Sequence, residues 1–227
     1  MIERVIVINP NCTKEVTEAM DNALDPLRSV DGPKIESVTN LNGPPGIECQ
    51  QHVDNVSSQI NNIIRQKYNE AGAFVIACFS DPGMFAAREI TKKPVFGIAE
   101  SGILTALSLG NHFGIIAILS QSVPRHLRYI RSLGLEARLA GDLAIELGVK
   151  ELVDEKKTLR RMIEIGKKLR DKKGADVLVL GCAGMARYRE QLEQHLSISV
   201  VDPVQAATAM AIGAIKLRQT NSTARFR

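Results

Sequence analysis

Short apolar runs alternate along the chain with longer stretches in which apolar residues recur every three or four positions. Val5-Ile6-Val7-Ile8, Phe74-Val75-Ile76-Ala77, Ile115-Ile116-Ala117-Ile118 and Val177-Leu178-Val179-Leu180 are the clearest runs. Being apolar on both faces, and bounded by Gly, Asn, Asp or Ser, they read as buried strands. Further strands are expected over 34–39, 94–98, 136–140 and 197–201. Helical spacing predicts a helix over 14–27, with Val16, Met20, Ala23, Leu24 and Leu27 inward, and a long one over 47–69, with Ile60, Ile63 and Ile64 inward. Other helices are expected over 82–90, 100–109, 124–133, 151–172, 187–195 and 204–217, and the residues from 219 onward read as a frayed end. The loop Asn42-Gly43-Pro44-Pro45-Gly46 has four breakers in five positions and forms no regular element. Strands alternating with helices predict βαβ units and parallel sheets, an α/β fold.

The same order of strand, loop and helix occurs twice. Asn9 after the first strand corresponds to Ser120, Cys78 to Cys182, and Glu100 to about Asp202. Two similar lobes are therefore expected, each a mostly parallel sheet flanked by helices, related by a pseudo-two-fold axis. Open α/β sheets bind ligands beyond the carboxyl ends of their strands. Asn9, Asn11, Cys78, Ser120 and Cys182 all sit at such ends, with Gln121 beside them. In Cys78-Phe79-Ser80-Asp81-Pro82-Gly83, Ser80 or Asp81 suits a helix N-cap and Pro82 the first turn. A thiol facing that helix start would ionise more easily than a free one. Two thiols on opposite sides of one cleft suggest a definite chemistry. One thiolate takes a proton from a carbon beside a carbonyl, and the other thiol returns one to the opposite face.

Composition narrows the alternatives. With 227 residues, 44% of them hydrophobic, the chain can bury a real core. A net charge of +4 with acids and bases interleaved, and no basic stripe carrying aromatics, gives no reason to expect nucleic acid. No apolar stretch reaches membrane-spanning length and the first residues lack the order of a signal peptide, so no membrane and a cytoplasmic location are expected. The four cysteines show neither a CxxC nor a metal-ligand spacing, so no metal is expected. Cys12 reads as a tolerated small residue, Cys49 as structural, His126 as a surface residue on a polar helix, and 151–173 as a solvated charged face.

The segments Asn9-Pro10-Asn11, Gly43-Pro44 with Ile47-Glu48, Ala77-Cys78-Phe79-Ser80-Asp81-Pro82-Gly83, Gly97-Ile98-Ala99-Glu100, Gly181-Cys182-Ala183-Gly184-Met185 and Val201-Asp202-Pro203-Val204 together carry a resemblance. Over nearly its whole length the chain resembles the aspartate/glutamate/hydantoin racemase superfamily, most of all its hydantoin and allantoin racemases. The resemblance implies Cys78 and Cys182 as catalytic residues and no cofactor. It implies a crossover of helices that makes residues 99–208 a second lobe inserted in a first lobe of 1–98 plus 209–227. It also implies a small-molecule substrate and a homo-oligomer. Substrate contacts are expected from Asn9, Asn11, Ile47, Phe79, Ser80, Ser120, Gln121, Ala183 and Gly184. The amino-acid racemases of the superfamily have Asn-Thr after the first cysteine and Thr after the second; here Phe79-Ser80 and Ala183-Gly184 stand there. A neutral ring, a 5-substituted hydantoin with allantoin included, suits those residues better than aspartate or glutamate. An aspartate/glutamate-type racemase, a single-thiol decarboxylase or isomerase, and a binding protein with inert thiols remain alternatives.

Overall fold

The computed structural model describes residues 3–224. It contains two four-stranded parallel sheets of the same design. The first takes β1 (Arg4–Asn9), β2 (Lys34–Thr39), β3 (Ala71–Ile76) and β4 (Val95–Gly97) in the order β2-β1-β3-β4. The second takes β5 (Phe113–Ala117), β6 (Leu139–Ala144), β7 (Val177–Leu180) and β8 (Ser199–Val201) in the order β6-β5-β7-β8. Pairing of Val7 with Val75 in one sheet is matched by pairing of Ile115 with Val179 in the other.

The period-two geometry of a strand sends alternate residues to opposite faces. Ile6, Ile8, Phe74 and Ile76 meet α2 (Gln50–Lys67) and α3 (Met84–Ile90) through Val56, Ile60, Ile64, Met84 and Ala87. In the second sheet Ile116, Leu178 and Leu180 meet α6 (Glu155–Lys173) and α7 (Arg189–Leu196). The remaining faces are covered by exchange. Helix α4 (Ile98–Leu109) leaves the first sheet and lays Ala99, Ile103 and Ala106 on Phe113, Ile115, Val177 and Val179 of the second. Helix α8 (Pro203–Lys216) leaves the second sheet and lays Val204, Ala207 and Ala211 on Val5, Val7, Ala73 and Val75 of the first. The small residues of α8 allow α4 and α8 to approach closely between the sheets. The last two helices are α1 (Lys14–Ala23), after β1, and α5 (Val123–Ser132), after β5.

Several sequence readings change. The strand expected over 136–140 is a 3-10 turn followed by β6, because Gly141 and Asp142 join the ladder beside β5. The tail is tied down through residue 223 rather than frayed. Asn221 donates from its side chain to the carbonyls of Thr91 and Lys93, at 3.1 and 2.7 Å, and Thr223 donates to the carbonyl of Arg88. The part of that reading covering 225–227 lies outside the described residues. No helix of the described residues is long and apolar enough to cross a membrane.

Candidate active site

Strands β3 and β7 hold equivalent places in their sheets, and each ends two residues before a cysteine. Cys78 and Cys182 are both free thiols, and they line one cleft where the carboxyl ends of the two sheets face each other. In each case the thiol sulfur accepts the backbone N–H two residues further on, from Ser80 for Cys78 and from Gly184 for Cys182. The electrostatics differ from the sequence expectation. Burial pushes Cys78 up to about 12, with the neighbouring Cys182 adding to the rise, Arg125 opposing it, Asp81 adding, and the Ser80 N–H opposing. Burial pushes Cys182 up to about 11, opposed by the Gly184 N–H and reinforced by Glu48.

A helix start does not compensate, because α3 begins only at Met84, after Gly83 with φ +72°. Asp81, with φ +43°, caps a different helix: its carboxylate accepts the N–H groups of Ala99 and Glu100, both at 2.9 Å, at the start of α4. The residue before α4 is Gly97, and a Cβ there would lie 2.2 Å from the Asp81 carboxyl carbon. Asp202, the N-cap of α8, therefore corresponds to Gly97 rather than to Glu100. In the second lobe the cap carboxylate belongs to the residue itself and accepts from Val204 at 2.8 Å. In the first it arrives from the Cys78 turn, which is thereby fixed to the far helix.

Of the expected contact residues, Asn11, Ile47, Phe79, Ser80 and Ala183 line the cleft together with the two cysteines. Asn9 does not. It is fully buried below Asn11, donating to Asn11 Oδ1 at 3.1 Å and Thr17 Oγ1 at 2.9 Å and accepting the Asn11 N–H, so it shapes the loop that presents Asn11. Gly184 gives its N–H to Cys182 but lines a neighbouring hollow, with Cys12, Pro45, Leu152 and Arg187. Ser120 and Gln121 are exposed and outside the cleft, Ser120 bonding to Glu146. Ile47 is delivered by the breaker-rich loop. Pro44 accepts the Cys12 N–H, Pro45 accepts the Thr13 hydroxyl, and Gly43 passes so close that a Cβ would stand 2.2 Å from the Pro10 carbonyl oxygen.

Sequence reasoning missed Ser122, Arg125, His126 and Asp142. The first three line the cleft. His126 is no surface residue: it is 4% exposed, its Nδ1 lies 2.8 Å from Asp142 Oδ2, and its ring meets Phe79 edge to face with centroids 5.1 Å apart. Burial raises the Asp142 carboxyl and His126 opposes that rise. The available signal was the spacing of Ile130 and His126, four apart and hence on the same inward face of α5. Among the described residues no three His, Cys, Asp or Glu side chains gather as a metal-holding group.

Comparison with known proteins agrees with this architecture. The Asp/Glu/Hydantoin racemase family model matches residues 5–211. The chain is 34% identical over 225 residues to a hydantoin racemase of Paenarthrobacter aurescens, covering 97% of this chain and 94% of that protein. A second hydantoin racemase, of Rhizobium meliloti, is 33% identical over 211 residues, with 90% and 86% covered. Among solved structures, an allantoin racemase from Klebsiella pneumoniae superposes with a TM-score of 0.94 at 28% identity, covering 99% of this chain and 94% of that one.

Proposed function

Because this chain belongs to the Asp/Glu/hydantoin racemase family, we propose that it inverts the ring carbon of 5-substituted hydantoins, using Cys78 and Cys182 as the two acid–base groups and no cofactor. The observation that carries the reading is the pair of free thiols lining one cleft, each just beyond the end of an equivalent strand. In the productive state one sulfur is a thiolate and the other a thiol. The thiolate takes the C5 proton, the C–H electron pair moves into the ring to give an enolate, and the opposite thiol protonates C5 from the other face. Each turnover leaves the two sulfurs with exchanged roles, so the reverse reaction starts from the state the forward one ends in.

The walls suit an uncharged ring. Val16, Ile47, Ile118 and Val149 give the lining apolar surface. The acidic side chains nearest the thiols are engaged: Asp81 by two helix amides and Glu48 by the Val149 N–H at 3.0 Å. A substrate ammonium finds no unengaged carboxylate among the cleft-lining residues. Ile47 and Val149, which line the cleft, would meet the 5-substituent in this reading, and Asn11 and Ser80 would make polar contacts to the ring.

The test is a polarimetric assay of single enantiomers, with 5-alkyl and 5-aryl hydantoins, allantoin and aspartate side by side, run in D2O so that C5 deuterium is read as well. Loss of rotation with one deuterium gained at C5 for the hydantoins, and none for aspartate, is expected. Binding of a hydantoin without exchange or inversion would refute the reading.

A further inference from the structure

The proposed chemistry needs a group that neither thiol supplies. When the C5 proton leaves, negative charge accumulates on the oxygen of the adjacent carbonyl. That oxygen lies in the ring plane, whereas the sulfurs act above and below it. The residues that open α5 bring polar side chains into the same cleft. Ser122, Arg125 and His126 stand at spacings of three and four on one helix face, and all three line the cleft.

Ser122 is 1% exposed and its hydroxyl has no hydrogen-bond partner among the described residues, an arrangement that is costly unless a ligand group meets it. Arg125 donates through Nε to Ser80 Oγ at 2.9 Å, and its two terminal nitrogens meet no hydrogen-bond acceptor among the described residues. The guanidinium is thus anchored to the Cys78 turn with its fork left open, the geometry that suits an anionic oxygen. His126 is clamped between Asp142 and Phe79, which holds the turn in register against β6.

We propose that Ser122 and Arg125 bind the carbonyl oxygen beside the inverted carbon and stabilise it as the enolate, with His126 and Asp142 as positioning residues. The proposal rests on the racemase reading above. The C–H bond breaks with its proton passing to a thiolate, its electron pair forms the ring C=C, and the carbonyl π pair moves to oxygen. The proton that returns comes from the other thiol. Since the same oxygen is charged whichever thiol acts first, these donors serve both directions equally.

The experiment compares Arg125→Gln, Arg125→Lys and Ser122→Ala with the parent on each enantiomer of 5-benzylhydantoin in D2O. Removing one donor is expected to lower kcat roughly 10²–10³-fold with KM changed no more than a few-fold. Deuterium exchange from the two enantiomers should fall by the same factor, in step with inversion, and Arg125→Lys should recover part of the loss. Asp142→Asn should lower kcat while leaving KM and the thermal midpoint near the parent's. Loss of exchange from one enantiomer alone would mean that Arg125 serves only Cys78, and would overturn the proposal, as would a kcat within threefold of the parent for Arg125→Gln. Calorimetry with 5-benzylidenehydantoin, flat at C5 and with no proton to lose, reads the subsite without turnover. About tenfold weaker binding to Arg125→Gln and Ser122→Ala is expected, and equal binding overturns the proposal. A parent that racemised no hydantoin would refute the function proposed above, while this titration would still decide the subsite.

Discussion

Cys78 and Cys182 each accept one backbone N–H from the residue two places on, and there their similarity ends. Cys78 has a guanidinium for a neighbour, Cys182 a carboxylate, Glu48. In the proposed mechanism each serves one enantiomer as base and the other as acid. Cys78→Ser and Cys182→Ser should therefore each lower racemisation by roughly 10²–10⁴, because serine is too weak an acid to finish the inversion. Exchange without inversion should survive, from opposite enantiomers in the two variants; a near-parental rate in either would refute the pairing. The raised thiols also set the pH dependence. A thiol whose pKa is pushed up to about 11 or 12 is mostly protonated at neutral pH, and the reactive thiolate form grows tenfold for each pH unit. The logarithm of kcat/KM, which reports the free enzyme, should climb with a slope near +1 between about pH 6 and 8.5. A profile flat across that range would mean that a thiolate is already formed in the empty site.

At the scale of elements, the two lobes solve the same capping problem differently. Helix α8 is capped by Asp202 at its own N-cap, whereas α4 starts at a glycine and borrows the carboxylate of Asp81 from the Cys78 turn. Burial draws the Asp81 carboxyl up toward about 7, and the N–H groups of Glu100 and Ala99 oppose the rise. Gly97→Ala would drive its Cβ into that carboxyl. A loss of about 1–3 kcal/mol is expected, the usual cost of overpacking a buried site, measurable by urea denaturation. Because the Asp81 turn also carries Cys78, activity should fall further than stability alone explains. A variant as stable and active as the parent would show the contact to be dispensable. Most elements were legible from local pattern: the bounds of β2 agree with the expected 34–39, since its flanks are turn-forming. Strand β6 was misread because Gly and Asp are poor strand formers in isolation, and only pairing with β5 makes 139–144 extended.

On the scale of the whole molecule, the cleft exists because two sheets point their carboxyl ends at one another and a few long-range bonds hold them. Glu48 accepts the Val149 N–H at 3.0 Å, and Arg128 donates to Gln50 at 2.9 Å, both between segments distant in the chain. Ile47 and Val149, on the two sides of the first of these bonds, both line the cleft. Glu48→Ala should open that wall and raise KM several-fold for a hydantoin, while Glu48→Gln, which keeps the acceptor, should stay close to the parent. Steady-state kinetics on the two variants checks this, and equal KM values for both would remove the clasp from the account.

The sequence by itself determined the alternation of strands and helices, the twofold recurrence of the pattern, and the position of both cysteines at the ends of equivalent strands. These follow from periodicity and turn chemistry, which act over a few residues and leave a readable local trace. Only the tertiary structure decided that Asp81 caps a helix eighteen residues away, that Ser122, Arg125 and His126 rather than Ser120 and Gln121 line the cleft with the thiols, and that the thiols are raised rather than lowered. Each of these depends on which groups meet across the fold and how much water they exclude. Desolvation and partner choice are properties of a packed neighbourhood, and no stretch of neighbouring residues encodes them.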